Sequence, residues 1–266
     1  MTLHEGAATG RRVDRLLTFS GWFVFAFLYL PILVVIVFSF SGAGNVGTWG
    51  GFSLRWYERM FGNEQLMKSL QNTLWIALFS TIVATVFGTA AALALDRYRR
   101  WVGRGTFDAI LYMPVIIPDV TMAVMLLLWF TQIGLPLGRG SIVLAHIAFN
   151  ISFVAIVVRA RLAHMDPAVE EAASDLYATR WQTFRRVTLP LIMPGVLGGG
   201  LLALTLSLDD VVITSFVQGP GATTLPVHVF GLIRRAVTPE INAVSTLMVT
   251  ASMVLVFASL AVQRRE

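Results

Sequence analysis

Three aspartates lie inside long apolar stretches of the chain, where a carboxylate is costly. Asp119 occurs in "MPVIIPDVTMAV" (113–124), and Asp209 is followed directly by Asp210 in "SLDDVVITSF" (207–216). An acidic side chain at the centre of a bilayer costs about 2.5 kcal/mol or more, and such side chains usually face a cavity or a pathway. The chemistry that the three carboxylates offer is therefore the binding of a cation.

The adjacency of Asp209 and Asp210 limits what the pair can do. Consecutive residues of a helix point about 100° apart, so we expect one carboxylate to face a pathway and the other to pair elsewhere. The candidate partners are three arginines: Arg139, Arg234 and Arg235. Trp129 and Phe216 can add cation–π contacts to such a pathway, or they pack against lipid and neighbouring helices.

A second chemically distinct stretch is "EEAASDLYATRWQTFRRVTLP" (170–190), a charged island between two apolar segments. Asp166 is a good helix N-cap and Pro167 suits the first helical position, so a helix is expected to begin there. A second short helix is predicted over 181–188, ended by Pro190, because proline disfavours helix in the preceding residue. The resulting helix–turn–helix either docks into a partner or is a solvated loop.

The composition indicates the class of protein in which these residues lie. The chain has 266 residues, of which 56% are hydrophobic and 13% are charged, and its mean hydropathy is +0.73. Soluble domains average about 25% charged residues, so the composition is that of a membrane protein. The absence of cysteine excludes disulfides and thiolate metal sites. The four histidines are scattered and no Ser/His/Asp cluster occurs, so neither a metal site nor a catalytic residue is assigned.

The apolar segments predict an all-α polytopic membrane protein with six transmembrane helices. A span needs about 20 mostly apolar residues. The predicted spans are 20–40, 69–95, 109–130, 141–163, 191–217 and 241–262. The fourth is the weakest because His146, Asn150 and Arg159 interrupt it. The first is too long for a signal peptide and is read as an uncleaved anchor.

The basic residues orient these spans. Of the twenty Lys and Arg residues, fourteen fall on the side that holds both termini and the charged island. The side richer in Lys and Arg is cytoplasmic. The predicted organisation is a cytoplasmic segment (1–19), a six-span domain (20–262) with a cytoplasmic loop (164–190), and a cytoplasmic tail (263–266).

The island resembles the EAA loop of binding-protein-dependent ABC importer permeases. That pattern is E-A-A, three residues, G, nine residues, a branched apolar residue, any residue, and L-P. Glu171-Ala172-Ala173 opens the pattern here and Leu189-Pro190 closes it at the right distance. Tyr177 occupies the glycine position. Because tyrosine does not adopt a left-handed turn cheaply, we expect the bend between the two helices to be shifted or helical.

The resemblance implies that this loop inserts into a cleft of a separate ATPase subunit. The coupling residues that it implies are Glu170, Glu171, Ala172, Ala173, Asp175, Tyr177, Arg180, Leu189 and Pro190. The chain itself cannot form a Walker A loop, because that motif needs a lysine after glycine and the single lysine, Lys68, follows Met67. We therefore expect no cofactor on this chain, with ATP and Mg²⁺ bound by the partner.

A narrower resemblance concerns the transported solute. "SLDD", "GPGATTLP" and "TPEINA", all within 207–248, are similar to the second permease subunit of spermidine/putrescine transporters. This likeness implies a polyamine path through the bacterial inner membrane, with Asp119, Asp209 and Asp210 as its carboxylates. Permeases for opines, phosphonates and iron share parts of the pattern and are alternatives. The implied partners are a second, different permease chain, an ATPase dimer, an external substrate-binding protein and membrane lipid, but no nucleic acid.

A reading from a different class is a stand-alone secondary transporter that uses the same aspartates as a proton or sodium relay. Such a protein has no use for a cytoplasmic docking loop, and transporters of that class often contain repeats. No internal repeat is visible in this sequence.

Overall fold

The computed structural model describes residues 3–98, 101–235 and 238–263. Side chains are described for residues 16–98, 101–234 and 238–254. The described residues form helices joined by short connections and contain a single isolated β-bridge, between Ser41 and Phe52. The helices are α1 (Leu3–Ser39), α2 (Arg55–Gly62), α3 (Glu64–Arg97), α4 (Arg104–Ile116), α5 (Asp119–Gln132), α6 (Arg139–Ala163), α7 (Pro167–Asp175), α8 (Arg180–Thr183), α9 (Leu189–Asp209), α10 (Val212–Val217), α11 (Leu225–Arg235) and α12 (Pro239–Gln263).

The chain divides into two compact units. The first comprises residues 1–63 and 232–253, and the second comprises 64–231 and 254–266. In the first unit the chain reverses after α1 and returns to α2. The indole of Trp56 is buried there and donates to the carbonyl of Ser41 at 2.9 Å, and the guanidinium groups of Arg55 and Arg59 lie over its ring.

The second unit is built on α3, α6 and α9, which pack closely because small residues lie where they meet. A Cβ atom on Gly88 would lie 2.7 Å from Val154 Cβ, and one on Gly195 would lie 2.7 Å from Arg161 Cβ. Close packing through small residues is typical of helices that associate in a membrane. Two buried apolar clusters result, one around Phe130 and Phe149 and the other around Val154 and Ile192.

Four of the predicted spans fall on long apolar helices, although the helix of the fifth, predicted over 191–217, ends at Asp209. Long apolar helices cover Leu16–Ser39, Glu64–Arg97, Arg139–Ala163 and Arg180–Asp209, each long and apolar enough to cross a membrane. The sixth predicted span, 241–262, falls on α12, a helix of 25 residues. Its side chains from residue 255 onwards lie outside the description. The sidedness that we assigned from the arginines stays a prediction.

The prediction of a continuous third span over 109–130 is wrong. The structure has α4 and α5 there, bent by 115° at a short break. The break follows from Pro118, which forces extended backbone on the residue before it, and Ile117 has ψ 133°. The pair is either one broken span or a re-entrant segment.

The predicted stop at Pro190 is also wrong. A wide π-helical turn, Phe184–Thr188, connects α8 directly to α9, and the N–H of Leu189 bonds to the carbonyl of Phe184. A regular turn would place the proline ring against the carbonyl four residues earlier. The wider turn relieves this clash, so the helix passes Pro190 unbroken from Arg180 to Asp209.

The polar residues that weakened the fourth predicted span point into the protein. His146 and Asn150 are completely buried. Arg159 bonds to Asp108 at 2.6 Å and to the hydroxyl of Tyr112 at 2.7 Å. Polar side chains that face protein partners rather than lipid are compatible with a span.

Candidate functional site: the 164–190 loop and an acidic helix break

The 164–190 loop forms the predicted helix–turn–helix. The side chain of Asp166 caps α7 by accepting from the N–H of Ala168 at 2.9 Å, and Pro167 is the first helical residue. The second helix begins at Arg180 after a capping box in which Thr179 and Gln182 exchange side-chain-to-backbone bonds. Local sequence therefore determines where both helices begin.

Glu170 ties the loop to the rest of the second unit. Its carboxylate lies 2.7 Å from the guanidinium of Arg97, at the end of α3. Thr188, which is completely buried in the π-helical turn, donates to the same carboxylate and accepts from Arg97 at 3.0 Å. Glu170 thus holds together three parts of the chain. The one local signal for this pair is that Arg97 lies just after the predicted span 69–95.

Tyr177 adopts the left-handed conformation that the motif reserves for glycine. Its φ is +60°, and among the described residues it is the sole non-glycine residue with a positive φ. The expectation of a shifted or helical bend is therefore wrong. A left-handed residue other than glycine costs about 1–2 kcal/mol. The neighbouring hydrogen bonds, from Tyr177 N–H to Ser174 and from Ala178 N–H to Ala173, hold the turn in place.

The outer face of the loop combines charge with unpartnered apolar surface. Leu176 is 82% exposed, Tyr177 is 96% exposed and Trp181 is 65% exposed, the last stacked loosely on Phe184. The other predicted coupling residues divide by burial. Glu171, Ala172, Asp175, Arg180 and Pro190 are exposed, while Ala173 and Leu189 are half-buried. Exposed aromatic and apolar groups beside charges are typical of a surface that binds a protein partner.

The acidic pair lies at a helix break, not on a continuous helix. Asp209 is the last residue of α9, and Asp210 has extended backbone. The carboxylate of Asp210 turns towards α10 and accepts from the N–H groups of Ile213 (3.3 Å) and Thr214 (2.7 Å). It also lies 3.4 Å from Nε2 of His146. The partner that we expected to be an arginine is therefore, within the described residues, a histidine and the start of α10.

Asp209 differs from its neighbour in its surroundings. Its side chain is exposed, and within the described part of the chain it forms no ion pair. The structure thus separates the two carboxylates, one fixed inside the protein and one directed outwards. This is the division of roles that adjacency predicted, reached through a helix break rather than through helical geometry.

Asp119 does not lie in the middle of a helix. It is the first residue of α5, directly after the break at Pro118, and it is exposed. A carboxylate at this position is stabilised by the positive end of the helix dipole. Within the described residues it makes no hydrogen bond or ion pair with Asp209 or Asp210.

The two aromatic residues predicted for the pathway are not equivalent. Trp129 lines an apolar cavity of about 680 Å³ between α4, α5 and α6, together with Met113, Met122 and Phe87. No acidic residue lines this cavity, so the structure does not bring Trp129 to the carboxylates there. Phe216 is partly exposed on α10, two residues after Thr214.

The segment 217–226 is fixed tightly. The amide of Asn72 donates to the carbonyls of Gly221 (3.1 Å) and Thr223 (3.0 Å), and the N–H of Leu225 donates to the Thr73 hydroxyl at 2.7 Å. A Cβ on Gly219 would lie 1.9 Å from the carbonyl oxygen of Leu137. Only glycine fits at position 219, because the two backbones meet there.

Comparison with known proteins identifies the family. Residues 84–265 match the family model described as binding-protein-dependent transport system inner membrane component. The chain belongs to this family. Relatives of this permease family support the assignment over most of the chain. The putrescine transport system permease protein PotI of Escherichia coli (strain K12) is 44% identical over 233 residues, 85% of this chain and 83% of that protein. The spermidine/putrescine transport system permease protein PotC of Haemophilus influenzae is 40% identical over 91% of this chain and 94% of that protein.

A solved structure shows the same fold at lower identity. A chain of a bacterial ABC transporter involved in the import of the acidic polysaccharide alginate superimposes with a TM-score of 0.76 at 19% sequence identity, covering 100% of this chain and 99% of that chain. At this identity the likeness shows the fold of an importer permease and nothing about the solute.

Proposed function

We propose that this chain is a transmembrane permease subunit of an ABC importer, that it forms part of the translocation path for polyamines such as putrescine and spermidine, and that its 164–190 loop couples the path to a separate ATPase subunit. The observation that carries the solute assignment is the 44% identity to a putrescine permease over 85% of this chain. Both termini and the loop are assigned to the cytoplasm on the distribution of arginines.

The geometry of the acidic helix break supports a cationic solute. A polyamine carries ammonium groups separated by flexible methylene chains, and an exposed carboxylate such as Asp209 attracts them without enclosing them. The charge-assisted bonds between ammonium and carboxylate are stronger than neutral ones. Asp119, exposed after the break at Pro118, offers a second carboxylate of the same kind.

The loop supports coupling to a protein partner. Its helices are fixed to the end of α3 through Arg97 and to the π-helical turn through Thr188. A push on the exposed face of α7 is therefore transmitted to two apolar helices. Hydrolysis of ATP belongs to the partner, since this chain has no Walker A lysine.

The test is uptake of radiolabelled putrescine and spermidine by cells that express this chain together with the other subunits of its importer. We expect uptake that depends on this chain and is unaffected by excess opine or 2-aminoethylphosphonate. If neither polyamine is taken up, or if an excess of opine or 2-aminoethylphosphonate blocks polyamine uptake, the solute assignment is contradicted. Uptake that persists without any ATPase subunit contradicts the coupling and favours an ion-coupled transporter.

A further inference from the structure

His146 joins the two sides of the break between α9 and α10. Its imidazole is completely buried. Nδ1 lies 2.6 Å from the hydroxyl oxygen of Ser207 in α9. On the other side of the ring, Nε2 lies 3.0 Å from Thr214 Oγ1 in α10 and 3.4 Å from Asp210 Oδ2. One side chain thus contacts the helix before the break, the carboxylate within it and the helix after it.

The tautomer of the ring sets the direction of these hydrogen bonds. A carboxylate only accepts, so the contact with Asp210 favours a proton on Nε2, and in that tautomer of the neutral ring Nδ1 accepts from Ser207. The hydroxyl of Ser207 lies 3.1 Å from that of Ser80 in α3. A chain of polar contacts therefore runs from Ser80 through Ser207 and His146 to Asp210.

The contacts around His146 fix the carboxylate of Asp210 and leave the carboxylate of Asp209 exposed. Asp210 accepts two backbone N–H groups in addition to the contact with His146. Each of these contacts holds the Asp210 carboxylate against α6 or α10. Because the backbone at Asp210 is extended, Asp209 then points away from the network and into an exposed position.

We propose that His146 is a positioning residue of the cation path, which by anchoring Asp210 and Ser207 leaves Asp209 as the one carboxylate of the pair that contacts the polyamine. The proposal rests on the proposed function and adds to it the roles of these four residues. Without His146, the break loses the side chain that joins its two halves, and Asp209 loses its defined orientation.

The test is a double-mutant cycle on polyamine uptake, normalised to the amount of assembled importer. The variants are His146→Leu, Asp209→Asn and the two together. Each single change is expected to lower uptake about tenfold, and the double variant should be no slower than the slower single one, because residues that act through one interaction are not additive. A merely structural role for His146 predicts independent effects, and the double variant would then fall about a hundredfold.

Two further variants sharpen the result. His146→Gln keeps an N–H donor on a side chain of similar reach and should restore most of the uptake that His146→Leu loses. Asn150→Leu is the matched control: Asn150 lies one turn away on α6, is equally buried, and within the described residues has no hydrogen-bond partner. If Asn150→Leu gives the same non-additive loss with Asp209→Asn, then loss of any buried polar side chain of α6 has this effect and the proposal is wrong.

The outcomes separate this inference from the proposed function. Failure of the wild-type chain to import either polyamine removes both. Normal polyamine uptake with an additive cycle, or with Asp209→Asn at the wild-type rate, overturns the role of His146 alone. Should His146→Leu fail to assemble, Thr214→Val replaces it in the cycle, because it removes the hydroxyl through which the imidazole reaches α10 and keeps the side-chain shape.

Discussion

The guanidinium of Arg97 and the carboxylate of Glu170 lie 2.7 Å apart although 73 residues separate them in the chain. Both side chains are about one-third exposed, at 35% and 29%. An exposed ion pair contributes about 0–1 kcal/mol, but this one also receives a hydrogen bond from the buried hydroxyl of Thr188. The pair therefore joins the 164–190 loop to the end of α3.

The first prediction is that Glu170→Ala loosens the loop within the chain. Arg180, Arg185 and Arg186 are exposed trypsin sites on that loop. We expect limited trypsin treatment of inside-out vesicles to cut there several-fold faster in Glu170→Ala than in the wild type. Glu171→Ala is the matched control, since Glu171 is the adjacent exposed residue, and its cleavage rate should stay unchanged. If trypsin cleaves Glu170→Ala no faster than Glu171→Ala, the ion pair does not hold the loop in place.

The second prediction concerns the partner rather than the chain. Glu171→Lys reverses the charge at an exposed position in the middle of α7 and so changes the face of the loop that is offered to a partner. The variant should insert normally but lose the ATPase subunit on co-purification. Glu64→Lys makes the same change in the first turn of α3, away from the loop, and should keep the ATPase. Wild-type uptake by Glu171→Lys would remove Glu171 from the coupling surface.

The third prediction uses the strain at Tyr177. Glycine at this position removes the cost of the left-handed turn, so Tyr177→Gly should stabilise the loop by about 1 kcal/mol. The same change deletes the most exposed aromatic ring of the loop. If that ring contacts the ATPase, the variant combines a higher melting temperature in detergent with weaker ATPase association. A lower melting temperature would mean that the conformational entropy that glycine adds to the unfolded chain outweighs the relief of strain.

Much of the loop was predictable from the sequence because its signals are local. The N-cap at Asp166, the proline after it and the motif spacing depend on residues within one or two turns. The break at Pro118 was missed because hydropathy runs without interruption across it. The partner of Asp210 was missed for a different reason: His146 lies 64 positions earlier in the chain, and only the packing of α6 against α9 and α10 brings the two together.

A fourth prediction tests the orientation of the spans. The chain contains no cysteine, so single cysteines can be labelled without background. Pro220→Cys lies at an exposed position between two glycines of the 217–226 segment, and it should react with a membrane-impermeant maleimide in intact spheroplasts. Tyr177→Cys, on the 164–190 loop, should react only after permeabilisation. The opposite pattern would invert the topology that we assigned from the arginines.

The last prediction concerns the carboxylates of the path. Asp119 and Asp209 are both exposed, each lies at a helix end rather than within a helix, and neither forms an ion pair with another described residue, so each is open to a passing ammonium group. Asp210 is held by backbone N–H groups and His146, so its replacement acts on the fold of the break. A hydrogen bond to a charged group contributes about 1.5–3 kcal/mol. Asp119→Asn and Asp209→Asn should therefore lower polyamine uptake about tenfold or more while the amount of assembled importer stays normal.

Asp210→Asn should instead reduce the amount or the thermal stability of the complex, because an amide offers one acceptor where the carboxylate offers two. Uptake of labelled putrescine, divided by the amount of complex recovered from the same cells, separates the two behaviours. If both Asp119→Asn and Asp209→Asn import putrescine at the wild-type rate, the carboxylates are not on the path and the cationic solute loses its physical support.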